Sequence, residues 1–153
     1  MQIDGVNIGS LMVRIFLLAL CLAPVAVLTP ILEIGPTHVF NSDWPGHARV
    51  HEVWQLISNA LLAGLALWFA VSRRDMKMAS LLGLLVNASF LAAVLLAPLY
   101  DGTMRHSDGT ELAFGGVNLA VAVMVLTTIG LLGLYLGARR QPSHGDDSGA
   151  KHP

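Results

Sequence analysis

Four long apolar runs limit what this chain can fold into. They cover roughly residues 11–32, 53–71, 78–100 and 117–138. Each has about the 20 residues that a helix, rising about 1.5 Å per residue, needs to cross a hydrocarbon core of about 30 Å. Inside lipid the backbone must satisfy its own hydrogen bonds, so each run predicts a helix. A soluble domain carries about 25% charged residues. Here 12% of 153 residues are charged, 54% are hydrophobic and the mean hydropathy is +0.64, which leaves too little polar surface to cover a soluble globule. The expected fold is all-α: an integral membrane four-helix bundle over residues 1–140, followed by a Gly-, Ser-, Asp- and Pro-rich tail, 141–153, that reads as disordered.

Smaller features refine this picture. Pro24 and Pro30 fall in the first run, where each removes an N–H and clashes with the preceding turn; they are expected to kink or end that helix. Leu18-Ala19-Leu20-Cys21 superficially resembles a lipoprotein cleavage site. It has Leu where a small residue belongs, and the apolar run continues beyond it, so a retained span is expected. Cys21 is the only cysteine, which excludes an intrachain disulfide and a cysteine-based metal site. A net charge of −1 gives nucleic acid no basic patch to bind. Gly130, Gly133 and Gly137 are spaced for a close helix contact, within the chain or in a homodimer.

Lysine and arginine placement predicts the orientation. Arg73, Arg74 and Lys77 lie in the second connection, and Arg139, Arg140 and Lys151 near the C-terminus, whereas the first and third connections together hold only Arg49 and Arg105. Both termini are therefore expected in the cytoplasm, in a bacterial-type inner (plasma) membrane. The polar stretch 37–55 and the loop 101–116 then share the external face, along with six of the ten acids and four of the six histidines.

The polar stretch is where chemistry would concentrate. Gly35-Pro36 is a turn signal. Asp43 is a suitable N-cap for the second helix, with Pro45 in its first turn. A helix from about Trp44 to Val71 would be about 42 Å long and project beyond the hydrocarbon. On it His47, His51, Gln55 and Asn59 recur every fourth residue, a slanted stripe expected to face the bundle interior and meet Asn87, Asn118 and Thr127. Trp44, Trp54 and Trp68 read as interfacial anchors.

Three functions remain open for this stretch. His47 and His51, one turn apart, suit two imidazoles on one divalent metal, with Glu33, His38, Asp43, Glu52, Asp101 or His106 as further ligands. His51 with Glu52 or Glu33 would make a proton-transfer pair, the catalytic candidates of an isomerase or hydratase acting on a lipophilic substrate. A third possibility is structural, with these side chains tying the external loops together. No Asp, Glu, Lys or His falls in the middle of a span, unlike the usual proton- or ion-coupled transporter. Walker, Gly-x-Ser-x-Gly and Rossmann motifs are absent.

Thr37-His38-Val39-Phe40-Asn41, followed by Trp44-Pro45-Gly46-His47-Ala48-Arg49-Val50-His51, resembles the signature Thr-His-x-Phe-Asn-Pro-x-Trp-Pro-x-His-Ala-Arg-Phe-His of small four-span membrane proteins, a family of unknown function. Ser42 and Val50 depart from it, standing where proline and phenylalanine are usual. The resemblance implies the four-span architecture and marks His38, Asn41, His47, Arg49 and His51; it implies no activity, substrate or cofactor. More loosely, the architecture is similar to sterol isomerase and sigma-2 receptor proteins, which enclose a lipophilic ligand among helices. That likeness implies pocket roles for His51, Glu52, Trp54, Asn59 and Asn87. The resulting expectation is a polar, His-rich external cap that holds a small ligand or partner at His38, Asn41, His47, Arg49, His51, Gln55 and Asn59. Whether the chain is an enzyme is left open.

Overall fold

The structure is a computed structural model that describes residues 2–3 and 6–140; the expected tail, 141–153, lies outside the described residues. Strands β1 (Gln2–Ile3) and β2 (Val6–Asn7) form a small antiparallel ribbon pairing Gln2 with Asn7 and Ile3 with Val6. Helix α1 (Ile8–Ala23) follows. It runs on through a five-residue π-helical segment, Pro24–Leu28, into α2 (Thr29–Glu33), making one 26-residue apolar rod. The prolines do not end this rod. Pro24 has no N–H to give, and the ladder shifts so that the Thr29 N–H bonds the Pro24 carbonyl, five residues back, the spacing of a π-bulge.

After the connection 34–45 comes α3 (Gly46–Ser72), 27 residues, or about 40 Å. It begins one residue after Pro45, whose extended backbone (φ −54°, ψ 140°) occupies the cap position without a side-chain cap bond. Asp43 is not the N-cap expected from the sequence. Its backbone N–H instead donates to Asn41 Oδ1 at 2.9 Å, a local turn of the kind Asn favours, and this places Asp43 before the helix. A tight turn leads to α4 (Met76–Leu96), capped by Asp75, which accepts the Met78 N–H at 2.9 Å. A 3₁₀ turn (Ala97–Leu99) extends it. Beyond the third connection, β3 (Ala113–Phe114) and β4 (Val117–Asn118) form a hairpin. Its two central residues, Gly115 and Gly116, both have positive φ (57° and 80°), as tight hairpin turns require. Asn118 caps α5 (Leu119–Arg139), accepting the Val121 N–H at 3.1 Å.

The four rods are each long and apolar enough to cross a membrane, and the fold is mostly helical. Their shared core is thin and built largely from small residues. Ala63, Ala66 and Ala70 of α3 and Ala79 of α4 are buried with Leu18, Leu22, Met76 and Leu131. Gly83, on α4, marks a close seam shared by two other helices: a Cβ there would lie 3.0 Å from side-chain carbons of both Leu22 and Leu131. Of the glycines in α5, Gly130 faces inward, with its Cβ position 2.8 Å from the Cys21 sulfur. Gly133 and Gly137 have nothing within 4 Å. A second small cluster joins Val25, Val86 and Met124. Many large apolar side chains point outward; Phe16, Leu61, Leu95 and Leu126 are 68, 69, 79 and 68% exposed.

The polar groups expected to meet the α3 stripe are used elsewhere. Buried Asn87 donates from Nδ2 to Thr127 Oγ1 at 2.8 Å, and Thr127 Oγ1 donates to the Val123 carbonyl at 2.9 Å. Asn118 caps α5 and donates from Nδ2 to Glu111 Oε1 at 3.2 Å. These are α4–α5 and loop contacts, and α3 takes no part in them.

Because Gly83 is confined by two leucines, Gly83→Leu is expected to destabilise the bundle by about 1–3 kcal/mol through overpacking. Gly133→Ala, in open space, should not lower stability. Thermal unfolding in mild detergent separates the two, and equal loss in both variants would contradict the seam.

Candidate functional site

The connections 34–45 and 97–118 meet at one end of the bundle, and the meeting is made by named side chains. The first connection folds back over the end of α2: the Val39 N–H bonds the Glu33 carbonyl at 3.1 Å, Phe40 bonds Gly35 at 2.9 Å and Asn41 bonds His38 at 3.0 Å. This coil carries His38 inward. His38 Nε2 lies 2.8 Å from Glu33 Oε2, and Nδ1 lies 3.0 Å from Thr37 Oγ1. The imidazole also packs edge-on against Trp44, with ring centroids 5.3 Å apart, and against His106 of the third connection at 5.1 Å.

Burial, and after it the neighbouring His106, holds His38 below the ordinary imidazole value of 6.5. A neutral ring fits the geometry. Nε2–H donates to the Glu33 carboxyl, Nδ1 accepts from the Thr37 hydroxyl, and both nitrogens are satisfied with one proton. The Glu33 contact is then a hydrogen bond from a neutral imidazole rather than an ion pair.

Asn41 makes the second tie. It is 3% exposed, and its amide is fully used. Nδ2 donates to the Thr37 carbonyl at 3.2 Å and to Ser107 Oγ at 2.7 Å, while Oδ1 accepts the Asp43 N–H. A buried amide left unpaired would cost about 1–3 kcal/mol, so this network holds one arrangement of the two connections. His106 is anchored within its own loop, with Nδ1 3.1 Å from Thr110 Oγ1. Thr110 also donates its hydroxyl and its N–H to exposed Asp108, at 2.6 and 2.9 Å. Those bonds hold the Asp108 carboxyl below its usual range.

The expected stripe on α3 does not face the interior. His47, His51 and Gln55 are exposed, and Asn59 is half-buried. The reason is register. The buried face of α3 carries Leu56, Ala63, Ala66 and Ala70, the alanines packing with Met76 and Ala79 of α4, and the stripe lies off that face. His47 and His51 face each other with Nε2 atoms 2.9 Å apart and rings edge-on at 4.4 Å. One ring donates and the other accepts, so the bond needs at least one of them neutral. The expected extra ligands do not join the pair: among the described residues, no group of three or more His, Cys, Asp or Glu side chains is placed to hold a metal. Glu52 is half-buried, near enough to Glu33 to couple with its charge.

Arg49 is half-buried and has no salt bridge or hydrogen bond from its side chain among the described residues. It lines a shallow apolar depression of about 410 Å³ with Val39, Phe40, Val50 and Val53. Gln55 and Asn59 likewise have no side-chain partner among the described residues.

The residues marked by sequence therefore divide. His38 and Asn41 are tied into the scaffold, while His47, Arg49, His51 and Gln55 are presented from the head of α3. Two members of the scaffold carried little advance signal. Ser107 is an ordinary polar loop residue whose role appears only when the loops meet. Trp44, read as a membrane anchor, packs against His38. Compared with protein-family models, with curated proteins and with solved structures, the chain matches none.

The neutral His38 has a consequence for pH. A ring whose value lies lower in the fold than in the unfolded chain contributes stability that is complete above about 6.5 and lost as pH falls below it. Titration of the His38 ring by NMR should give a midpoint below 6.5, and Trp44 fluorescence should change over the same range. A midpoint above 6.5 would mean that Glu33 holds a charged imidazole.

Proposed function

We propose that the chain is a multi-pass protein of a bacterial-type inner (plasma) membrane, with both termini cytoplasmic, whose external cap holds a small ligand or partner without catalysing a reaction. Membrane placement is supported by the outward-facing apolar side chains on all four rods. Soluble monomers rarely expose apolar patches beyond a few hundred Å², and four such helices in water would exceed that. Orientation is supported by Arg73, Arg74, Lys77, Arg139 and Arg140 at the end opposite the cap, as the positive-inside rule expects.

The observation that carries the ligand-holding role is the contrast within the cap. His38, Asn41, Glu33 and Ser107 satisfy one another, and so build a platform. Beside it Arg49 and Gln55 stand on a regular helix with no side-chain partner among the described residues, and Asn59, farther along that helix, has none either. Unpaired polar groups on a rigid element suit recognition. The proton-transfer alternative has less support, because the His51 ring is exposed rather than turned between the helices.

Metal binding is favoured as a second reading by one observation, the 2.9 Å separation of the His47 and His51 Nε2 atoms. Two imidazole nitrogens about 2.1 Å from one ion lie roughly 3.0–3.4 Å apart, so a small rotation of either ring would admit a divalent ion, with water completing its coordination.

Reporter fusions placed after Asp75 and after Arg140 should give only cytoplasmic signals; an external signal at either position contradicts the orientation. Protein purified in mild detergent should carry a small molecule, detected by mass spectrometry, that is lost from the folded His47→Ala/His51→Ala variant. Stoichiometric metal lost in the same variant would favour the second reading. Identical content in wild type and variant would contradict both.

A further inference from the structure

The Arg49 depression brings together two properties, an apolar wall and one cation. Its walls are apolar: Val39 and Phe40 come from the first connection, and Val50 and Val53 from the first two turns of α3. Phe40 is 68% and Val50 65% exposed. The only charged side chain lining it is Arg49, half-buried and with no acceptor among the described residues. A guanidinium always carries its charge and presents five N–H donors matched to carboxylate or phosphate oxygens. Beside valine and phenylalanine, and with no carboxylate within ion-pair distance among the described residues, it is available to an anion from outside the chain.

Depth narrows the choice of anion. Arg49 sits on the first turn of a helix of 27 residues, which is longer than a hydrocarbon core requires. It stands between the polar cap above and the continuous apolar face of α3 below, the level at which lipid headgroups meet acyl chains. An occupant of this depression must offer an anionic head to Arg49 and an apolar body to Val39, Phe40, Val50 and Val53. A soluble anion would leave the walls bare, and a neutral lipid would leave the guanidinium unpaired.

We propose that this depression binds an anionic phospholipid of the surrounding leaflet, with its phosphate on Arg49 and the upper part of an acyl chain along Val50, Val53 and Phe40. The site rests on the membrane placement proposed above and assigns Arg49 to lipid, leaving His47, His51 and Gln55 to the cap's own ligand. It lies on the lipid-facing flank of the cap, so the bound lipid becomes part of the cap's wall.

Trp54 serves as the reporter. It lies one helical turn below Val50 on the same side of α3 and is 65% exposed. The full chain carrying Trp44→Phe and Trp68→Phe, with Trp54 alone remaining, is reconstituted in phosphatidylcholine vesicles. Either brominated phosphatidylglycerol or brominated phosphatidylcholine is then added as quencher. One basic side chain at a membrane surface favours an anionic lipid by about fivefold. The expected result is quenching of Trp54 at about fivefold lower mole fraction of brominated phosphatidylglycerol than of brominated phosphatidylcholine. The preference should disappear in Arg49→Gln and largely survive in Arg49→Lys, which keeps the charge and loses only the planar fork. Equal quenching by the two lipids in the wild-type background, or a preference that survives Arg49→Gln, overturns the site while leaving the membrane placement intact. Absence of quenching by either lipid overturns the membrane placement and the site with it.

Discussion

The close seam at Gly83 is the constraint on which the rest depends. Three helices converge there, with Leu22 of α1 and Leu131 of α5 occupying the space a side chain on α4 would need. Alanines at 63, 66, 70 and 79 continue the same narrow contact between α3 and α4. Helices that meet through small residues approach closely and pack by van der Waals contact along their backbones, the mode suited to apolar surroundings where large side chains gain nothing by leaving the solvent. Many other leucines, valines and phenylalanines then point outward. A thin core and an apolar exterior are two faces of one arrangement.

The cap follows from how the helices end. The first rod stops at Glu33, whose carbonyl receives the returning chain and whose carboxyl receives His38. Asn41 then reaches Ser107 in the other connection. α3 starts after Pro45, and its first turns meet the loop residues Val39 and Phe40 on one side, leaving His47 and His51 exposed. Scaffold and presented groups therefore come from the same short stretch of sequence. Residues before Pro45 are fastened down, and those after it project. Arg49 falls at the junction, with loop residues Val39 and Phe40 on one side and α3 valines on the other.

Much of the architecture was legible in the sequence. Apolar run length and composition located all four helices to within a few residues, except that the second begins well before its apolar stretch, as the histidines and Pro45 had indicated. The common end of the two polar connections followed from the alternation of successive spans, with lysines and arginines concentrated in the other connection and near the C-terminus. The inner face of each helix was not legible. When one side of a helix meets lipid and the other meets protein, both sides are apolar, and hydrophobic periodicity stops marking the buried one. Polar residues were the only guide left, and they misled at α3: His47, His51 and Gln55 are exposed near the start of α3, where water can satisfy them, so they needed no partner inside. Asn87 and Thr127, deeper and without that option, found each other. The small residues that define the contacts were visible at Gly130 and missed at Gly83, because glycine and alanine spacing in an apolar run has many chance matches. Asp43 reads as a cap because it precedes a helix; the Asn41 turn places it two residues before the cap position, Pro45.

The central claim is that the two polar connections form one ordered cap on an apolar bundle. Hydrogen–deuterium exchange of the full chain in lipid nanodiscs addresses this most directly. The bonded N–H groups of Val39, Phe40 and Asn41 should exchange slowly, as the ends of α2 and α3 do, and should become fast when Asn41 is replaced by Ala. Exchange of residues 37–41 as fast as that of an unstructured chain, in the unmodified protein, would contradict the account.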